Sequence, residues 1–319
     1  MLSDYDALTI INLAEQSPVL RVGGNSTITR VEFDQRDYAV KDYSARADGN
    51  QRLTQEFSAL EFLHPKLPDR FAEPLGIGPD GQRAIYSWIN GIRPVLDRQS
   101  VTHMLDIANE LHHLSKSVTP EQVKPATDQV LNISDIGDQL VKRLETLQAV
   151  PGPVADFTKT QILPLLLELR IGGNEAGRAV ITLSPSDFGA HNLLRDEQTG
   201  QMRCVDLEFF GWDDAHKLTC DSLLHPLAEW SVDCADIFLA GAFATYNLDE
   251  ARLIRLWPLL NLKWAAITLS RAARNLQAGD TTLSDQATQW ATTYVAHASR
   301  APDSLSDIVQ QVAHKRGSS

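Results

Sequence analysis

The sequence predicts an α+β chain of two lobes: a small β-rich N-terminal lobe over residues 1–90 and a larger, mainly helical C-terminal lobe over residues 91–319. Two observations lead there. Strand-like segments crowd the first ninety residues, and after Asn90-Gly91 the apolar spacing turns helical, with one β-rich patch returning at Ala179 to Asp206. At 319 residues and 43% hydrophobic content, the chain can bury a sizeable core in one large domain or in two lobes sharing a cleft.

In the N-terminal lobe, Leu20 to Val22, Thr27 to Phe33 and Tyr38 to Tyr43 are rich in β-branched and aromatic residues. Asp34-Gln35-Arg36-Asp37 separates the last two as a hairpin turn. From Gln51 to Leu63 the apolar positions Leu53, Phe57, Leu60 and Phe62-Leu63 recur at helical spacing, and Pro65 ends the run. Two further strands are expected at Glu73 to Gly78 and Arg83 to Trp88, and a hinge at Ser87 to Gly91. Beyond it, helices are expected at Val101 to Ser117, Ile133 to Ala149 and Val154 to Ile171, the last kinked by Pro164. Val118 to Leu131 is a polar connection, long helical stretches run from Leu218 onward, and Lys315 to Ser319 form a frayed end.

Charge and targeting narrow the class. A net charge of -12 argues against a nucleic-acid partner, because phosphate backbones need clustered Lys and Arg. The N-terminal stretch carries Asp4, Asp6 and Glu15 without a basic start, and no apolar run reaches the roughly 18 to 20 residues that span a bilayer. Cys204, Cys220 and Cys234 form no close pair of metal-ligand spacing, so reduced thiols in a cytoplasmic protein without a membrane partner are expected.

Five local features carry chemistry. Asp187 and Asn192 stand five residues apart in Leu183-Ser184-Pro185-Ser186-Asp187-Phe188-Gly189-Ala190-His191-Asn192. Phosphoryl transfer to a hydroxyl needs a carboxylate to take the nucleophile's proton and an oxygen ligand nearby for a cation, and an Asp and an Asn at this interval supply both. Met202-Arg203-Cys204-Val205-Asp206-Leu207-Glu208 is an apolar strand ending in an acid, reached through a turn at Glu197-Gln198-Thr199-Gly200, and Asp206 there suits the principal Mg²⁺ ligand. In Tyr38-Ala39-Val40-Lys41, alternation puts Ala39 and Lys41 on one face, so Ala39 can floor a base pocket while Lys41 reaches phosphates. Glu56, fifteen residues later on the next helix, is the anion expected to hold Lys41. Gly23, Gly24, Asn25 and Ser26 form a turn between strands through which the backbone could approach phosphates. Each feature alone is common; together, in this order, they point to one site. The triplet Asp187-Phe188-Gly189 spells a metal-binding tripeptide, but Asn192 at the catalytic interval and the later acid Asp206 argue against that reading.

With these residues the chain resembles the aminoglycoside phosphotransferase and choline kinase-like family, a protein-kinase-like fold, from about Leu20 to the C-terminal helices. The family's catalytic loop reads His-Gly-Asp-Leu-His-x-x-Asn and its metal strand Ile-Asp-Phe-Glu, often followed by Gly-Trp. Asp187 and Asn192 match the first, Val205-Asp206-Leu207-Glu208 the second and Gly211-Trp212 the sequel. Pro185 stands where the family has its loop His and Phe188 replaces a Leu, which marks a divergent bacterial branch. Leu111-His112 looks like the family's Leu-His pair, with a packing role for His112.

The resemblance implies a small-molecule kinase that uses ATP or GTP with Mg²⁺ and phosphorylates a hydroxyl of a sugar, amino alcohol or aminoglycoside-like molecule. It implies Asp187 as the catalytic base, Asn192 and Asp206 as metal ligands, and adenine contacts to the backbone of Ser87, Trp88 and Ile89. Asp221 would brace the catalytic loop or cap a helix. His216, Asp213, Asp214, Glu229, Trp230, Lys263 and Arg271 are offered for the acceptor side. The rival reading is a pseudokinase-like nucleotide-binding regulatory module, and a protein kinase is disfavoured because no Ala-Pro-Glu segment follows Asp206.

Overall fold

The structure, a computed structural model, describes residues 2–22, 26–150, 152–171 and 177–313. It forms two compact units, each assembled from separated stretches of chain: Met1–Val95, Val118–Thr127 and Pro185–Gly211 in the first, and Leu96–Ser117, Asp128–Ser184 and Trp212–Ser319 in the second. The segments around Asp187 and Asp206 thus group with the strand-rich N-terminal stretch rather than with the helical remainder.

The first unit opens on a helix that the strand reading of the N-terminus did not anticipate, α1 (Asp4–Gln16). Its signals are local: Ser3 caps it by accepting from the Asp6 amide, and Ala7, Ile10 and Ile11 form a buried face at helical spacing. Strands β1 (Val19–Val22), β2 (Thr27–Phe33) and β3 (Arg36–Asp42) follow, then α2 (Gly49–Leu63), β4 (Pro74–Ile77) and β5 (Arg83–Ser87). They make an antiparallel sheet in the order β1-β2-β3-β5-β4. The β2–β3 turn is shorter than expected. Only Asp34 and Gln35 separate the Phe33–Arg36 pair, and both have positive φ, the hairpin geometry that matches the twist of the strands.

Alternation along β3 assigns two jobs. Tyr38 and Val40 join Ala7, Ile10, Ile11, Val31 and Ile85 in an apolar core beneath α1. Ala39 and Lys41 point to the other face, as strand period requires. Helix α2 starts two residues earlier than expected, at Gly49, where a Cβ would lie 1.9 Å from the Tyr43 carbonyl oxygen. Only glycine fits that approach.

Strands β6 (Gly91–Ile92), β8 (Leu193–Asp196) and β9 (Met202–Cys204) form a second antiparallel sheet in this unit. The expected hairpin turn is present: Asp196 Oδ1 accepts from the amides of Gln198 and Thr199, and Gly200 takes φ +70°.

The second unit is mainly helical. Helix α3 (Arg98–Ser115) is capped by Asp97, and α4 (Ile133–Gln148) by an Asn132/Asp135 capping box. Helices α5 (Pro153–Phe157) and α6 (Leu163–Ile171) are joined by a π-helical turn, Thr158–Ile162. That turn is where the kink expected from Pro164 is absorbed. The Leu163 amide bonds back to the Thr158 carbonyl just before the proline, which has no N–H to give. A two-stranded pairing of β7 (Ile181–Ser184) with β10 (Gly211–Asp214) precedes helices α7 (Ala215–Leu224), α8 (Val232–Tyr246), α9 (Glu250–Gln277), α10 (Thr281–Ser299) and α11 (Leu305–Ala313). No helix is long and apolar enough to cross a membrane among the described residues, and the three cysteines are free and buried. The end at Lys315 to Ser319 lies outside the described residues.

Candidate active site

Every member of the site described here lies in the first unit. Lys41, on the face of β3 opposite the apolar core, is the centre of a buried ion cluster. Its Nζ donates to Glu56 Oε2 at 2.6 Å and to Asp206 Oδ1 at 2.7 Å, with Glu208 Oε2 at 3.9 Å. Burial pulls the ammonium toward neutrality, but Asp206, Glu56 and Glu208 outweigh it and hold its pKa above the ordinary lysine value. It is therefore a fixed positive charge at neutral pH.

Glu56 comes from α2, whose apolar positions Leu53, Phe57 and Leu60 bury that face of the helix and carry the carboxylate inward with them. It accepts from Tyr43 Oη at 2.7 Å as well as from Lys41, and its Oε1 accepts from the Leu207 amide at 3.3 Å. Tyr43 Oη lies 2.9 Å from Tyr86 Oη. Burial first, and then the Glu56 charge, push both phenols far above their ordinary range, so both remain neutral hydroxyls.

Asp206 and Asn192 are brought together by the β8–β9 hairpin. Leu193 pairs with Cys204, and the next rung is the Val205 amide donating to the Asn192 carbonyl at 2.9 Å. The Asn192 side-chain nitrogen donates to the Asp187 carbonyl at 3.0 Å, which leaves the amide oxygen as the atom available to a cation. Asp206 has φ +66°, a left-handed conformation unusual for a non-glycine residue. Ser186, just before Asp187, has the same φ, and the Asp187 amide bonds to the Pro185 carbonyl across it at 2.8 Å, closing a three-residue γ-turn. Both proposed working acids thus sit at or beside strained backbone, the kind of strain that concentrates at functional sites.

Glu208, two residues past Asp206, matches a motif position to which the sequence attaches no task. It is buried, with Oε1 2.6 Å from Arg52 Nη1, and Arg52 also reaches Asp48 at 2.8 Å and lies over the Phe209 ring. Burial and the Asp206 charge raise the Glu208 carboxyl above its ordinary value. The sequence does not mark Arg52, Tyr43 or Tyr86 either; for Tyr43 the available signal is a polar residue two positions beyond Lys41 on the same strand face. Glu56, Asp206 and Glu208 present oxygens that all lie within 4.8 Å of one another. An all-oxygen donor set of Asp206 and the Asn192 amide, beside further carboxylates already gathered around a cationic ammonium, fits a hard divalent ion such as Mg²⁺.

Of the other expected positions, Ser26 is buried and Ala39 half-buried beside Lys41 on the sheet, while Gly23, Gly24 and Asn25 lie outside the described residues. At the hinge, the Ser87 amide bonds to the Glu73 carbonyl and the Trp88 amide to the Asp37 carbonyl. Among the described residues, Ile89 is the one of the three whose amide takes no such partner.

Two expectations in the second unit change. Asp221 lies well inside α7, whose N-cap is Asp214, so it does not cap that helix; it accepts from Lys263 Nζ and Trp264 Nε1, both at 2.9 Å. Asp213, Asp214 and His216, offered for the acceptor side, are fully buried. Asp213 pairs with Lys217 at 2.6 Å, and Asp214 accepts from Arg252 at 2.7 Å and His216 at 2.8 Å. The Asp214–Arg252 pair ties the start of α7 to α9. His112 packs as expected, edge-on to Tyr246 with ring centroids 5.0 Å apart.

No family model and no curated protein matches the chain by sequence. Solved structures do share its fold. A thermostable mutant of the aminoglycoside phosphotransferase APH(4)-Ia, in a ternary complex with ADP and hygromycin B, matches with a TM-score of 0.63 at 15% identity, over 94% of this chain and 99% of that one. The choline kinase LicA from Streptococcus pneumoniae matches at 0.60 and 15% identity, over 92% and 99%. The GDP and kanamycin complex of APH(2")-IIia matches at 0.60 and 15% identity, over 92% and 98%.

Proposed function

We propose that this chain, which has the fold of the choline kinases and aminoglycoside phosphotransferases, is a small-molecule kinase that moves the γ-phosphoryl of ATP or GTP to a hydroxyl. The observation that carries the reading is the Lys41 ammonium held between Glu56 and Asp206 in the same compact unit as Asp187 and Asn192. A phosphoryl-transfer site needs a fixed cation for the phosphates, oxygen ligands for Mg²⁺ and a carboxylate for the acceptor proton. Here each has a named residue. The ADP and GDP in solved relatives of the same fold support a purine nucleotide as donor.

Lys41 would hold the α and β phosphates, with Glu56 keeping its ammonium in place. Asp206 and the Asn192 amide oxygen would hold Mg²⁺, which neutralises phosphate charge when bound. Gly23, Gly24, Asn25 and Ser26 would contact the phosphates, Ala39 would floor the base pocket, and the backbone of Ser87, Trp88 and Ile89, the Ile89 amide above all, would bond the base edge. Asp187 would orient the acceptor hydroxyl and take its proton. Acceptor classes that suit this chemistry are sugars, amino alcohols and aminoglycoside-like molecules. The test is a screen of purified protein with Mg-ATP and Mg-GTP against such a panel, following nucleoside diphosphate release. Asp187→Asn should lower kcat on the acceptor so found by about 10² to 10⁴ while nucleotide affinity stays near parental. Near-parental kcat in that variant removes the mechanism.

A further inference from the structure

The loop from Asp187 to Asn192 carries a histidine beside the proposed base. His191 Nε2 lies 3.1 Å from Asp187 Oδ1. A carboxylate only accepts, so Nε2 carries the hydrogen and donates it. The His191 side chain is 8% exposed and that of Asp187 29%, so the bond is sheltered on the histidine side and open on the carboxylate side.

A second observation shows that the backbone makes room for this contact. Gly189 has φ -165°, extended backbone open to any residue, so its conformation does not call for glycine. Space does. A Cβ at Gly189 would lie 2.8 Å from both Cε1 and Nδ1 of His191, inside the imidazole ring's own contact distance. The ring therefore lies folded back over Gly189, and the 3₁₀ turn Ala190–Asn192 returns it toward Asp187 four residues earlier.

We propose that His191 is a positioning residue for Asp187: seated over Gly189, it donates to Oδ1 and holds the rotamer in which the carboxylate meets the acceptor hydroxyl. The inference rests on the phosphotransferase reading above. A carboxylate that loses a donor samples more χ rotamers, and a misplacement of about 1 Å can cost on the order of 10²-fold in rate. Nucleotide binding does not depend on that rotamer. The histidine should therefore act on kcat and leave the KM for nucleotide alone.

The kinetic test uses the full chain with Mg-ATP, following transfer to the acceptor found by screening and phosphate release to water. His191→Ala should lower kcat about 10- to 100-fold with nucleotide KM within about twofold. His191→Gln, whose side-chain amide can present an N–H where Nε2 stood, should recover most of the loss. Gly189→Ala should reproduce His191→Ala by displacing the ring, and the double variant should be no slower than His191→Ala alone. A second readout needs no turnover: in ¹⁵N-histidine spectra, Asp187→Ala should abolish the protected Nε2–H signal of His191. The inference is overturned if His191→Ala keeps parental kcat, if the Gly189 and His191 effects multiply, or if Asp187→Ala leaves the His191 signal unchanged. A loss in Asp187→Asn without one in His191→Ala overturns this inference alone, whereas parental turnover in Asp187→Asn overturns the proposed function.

Discussion

Lys41 and Asp206, 165 residues apart in sequence, meet at 2.7 Å in the first unit, and Glu56 closes the contact from the other side at 2.6 Å. A buried cation between two acids stabilises each of them only while all three are present. The same cluster that suits the chemistry is therefore a stability element, and its members should betray themselves in unfolding experiments as well as in kinetics.

Replacing Lys41 by Met keeps most of the side-chain volume and leaves Glu56, Asp206 and Glu208 without their shared cation. Removing one partner of a buried pair costs about 3–5 kcal/mol. Urea unfolding should show a loss of that order for Lys41→Met, and Lys41→Met/Glu56→Gln should lose less than the sum of the two single variants. Additive losses would mean that Lys41 and Glu56 do not share the cluster.

Ligand that binds only the folded state raises the melting temperature. Mg-ATP or Mg-GTP at millimolar concentration should raise the Tm of the parent, and Asp206→Ala should abolish the Mg²⁺-dependent part of the rise. A variant stabilised by Mg-nucleotide as strongly as the parent would show that Asp206 does not hold the metal.

Gly211 follows Asp206 by five residues and has no room for a side chain. A Cβ there would lie 2.4 Å from both the Ala126 amide nitrogen and the Lys124 carbonyl oxygen. These are backbone atoms of the Val118–Thr127 stretch, already tied to the same segment by the Thr127 amide on the Phe209 carbonyl and by Gln55, which donates to the carbonyls of both Pro125 and Phe210. Gly211→Ala should destabilise the protein by about 1–3 kcal/mol in urea unfolding, because a packed backbone must shift. A neutral substitution would mean that this stretch does not clamp the chain after Asp206.

Burial raises the Asp214 carboxyl, but His216 and Arg252 outweigh it and hold the group below its ordinary value of 3.8. A carboxyl lowered on folding contributes stability that is present above 3.8 and is lost as the pH falls through the lower folded value. Asp214→Asn should therefore cost about 3–5 kcal/mol at pH 7, the cost of breaking a buried pair, and the gap to the parent should narrow below about pH 4. Urea titrations from pH 7 to pH 3 measure it. A gap independent of pH would mean that the lost contacts are not ionic.

Much of the first unit was legible because its signals are short-range. Period-two alternation in β2 and β3, the turn at Asp34-Gln35 and the apolar spacing of α2 each depend on residues a few positions apart. The helix α1 is equally legible in the Ser3 cap and in Ala7, Ile10 and Ile11 at helical spacing. Sequence could not place Asp213, Asp214 and His216. Charged residues after a Gly-Trp look exposed until the partners that bury them, Lys217 nearby and Arg252 far along the chain, are in place.

By itself the sequence determined the identity and order of Lys41, Glu56, Asp187, Asn192 and Asp206, because strand period and loop interval are encoded within a few residues of each. Only the tertiary structure decided that Lys41 bridges Glu56 and Asp206, that Tyr43 and Tyr86 brace Glu56, that Arg52 holds Glu208 and that His191 folds over Gly189 onto Asp187. Most of these contacts join distant segments, and that of His191 depends on a loop rotamer. Such charge pairing follows from burial and chain path, which no local period encodes.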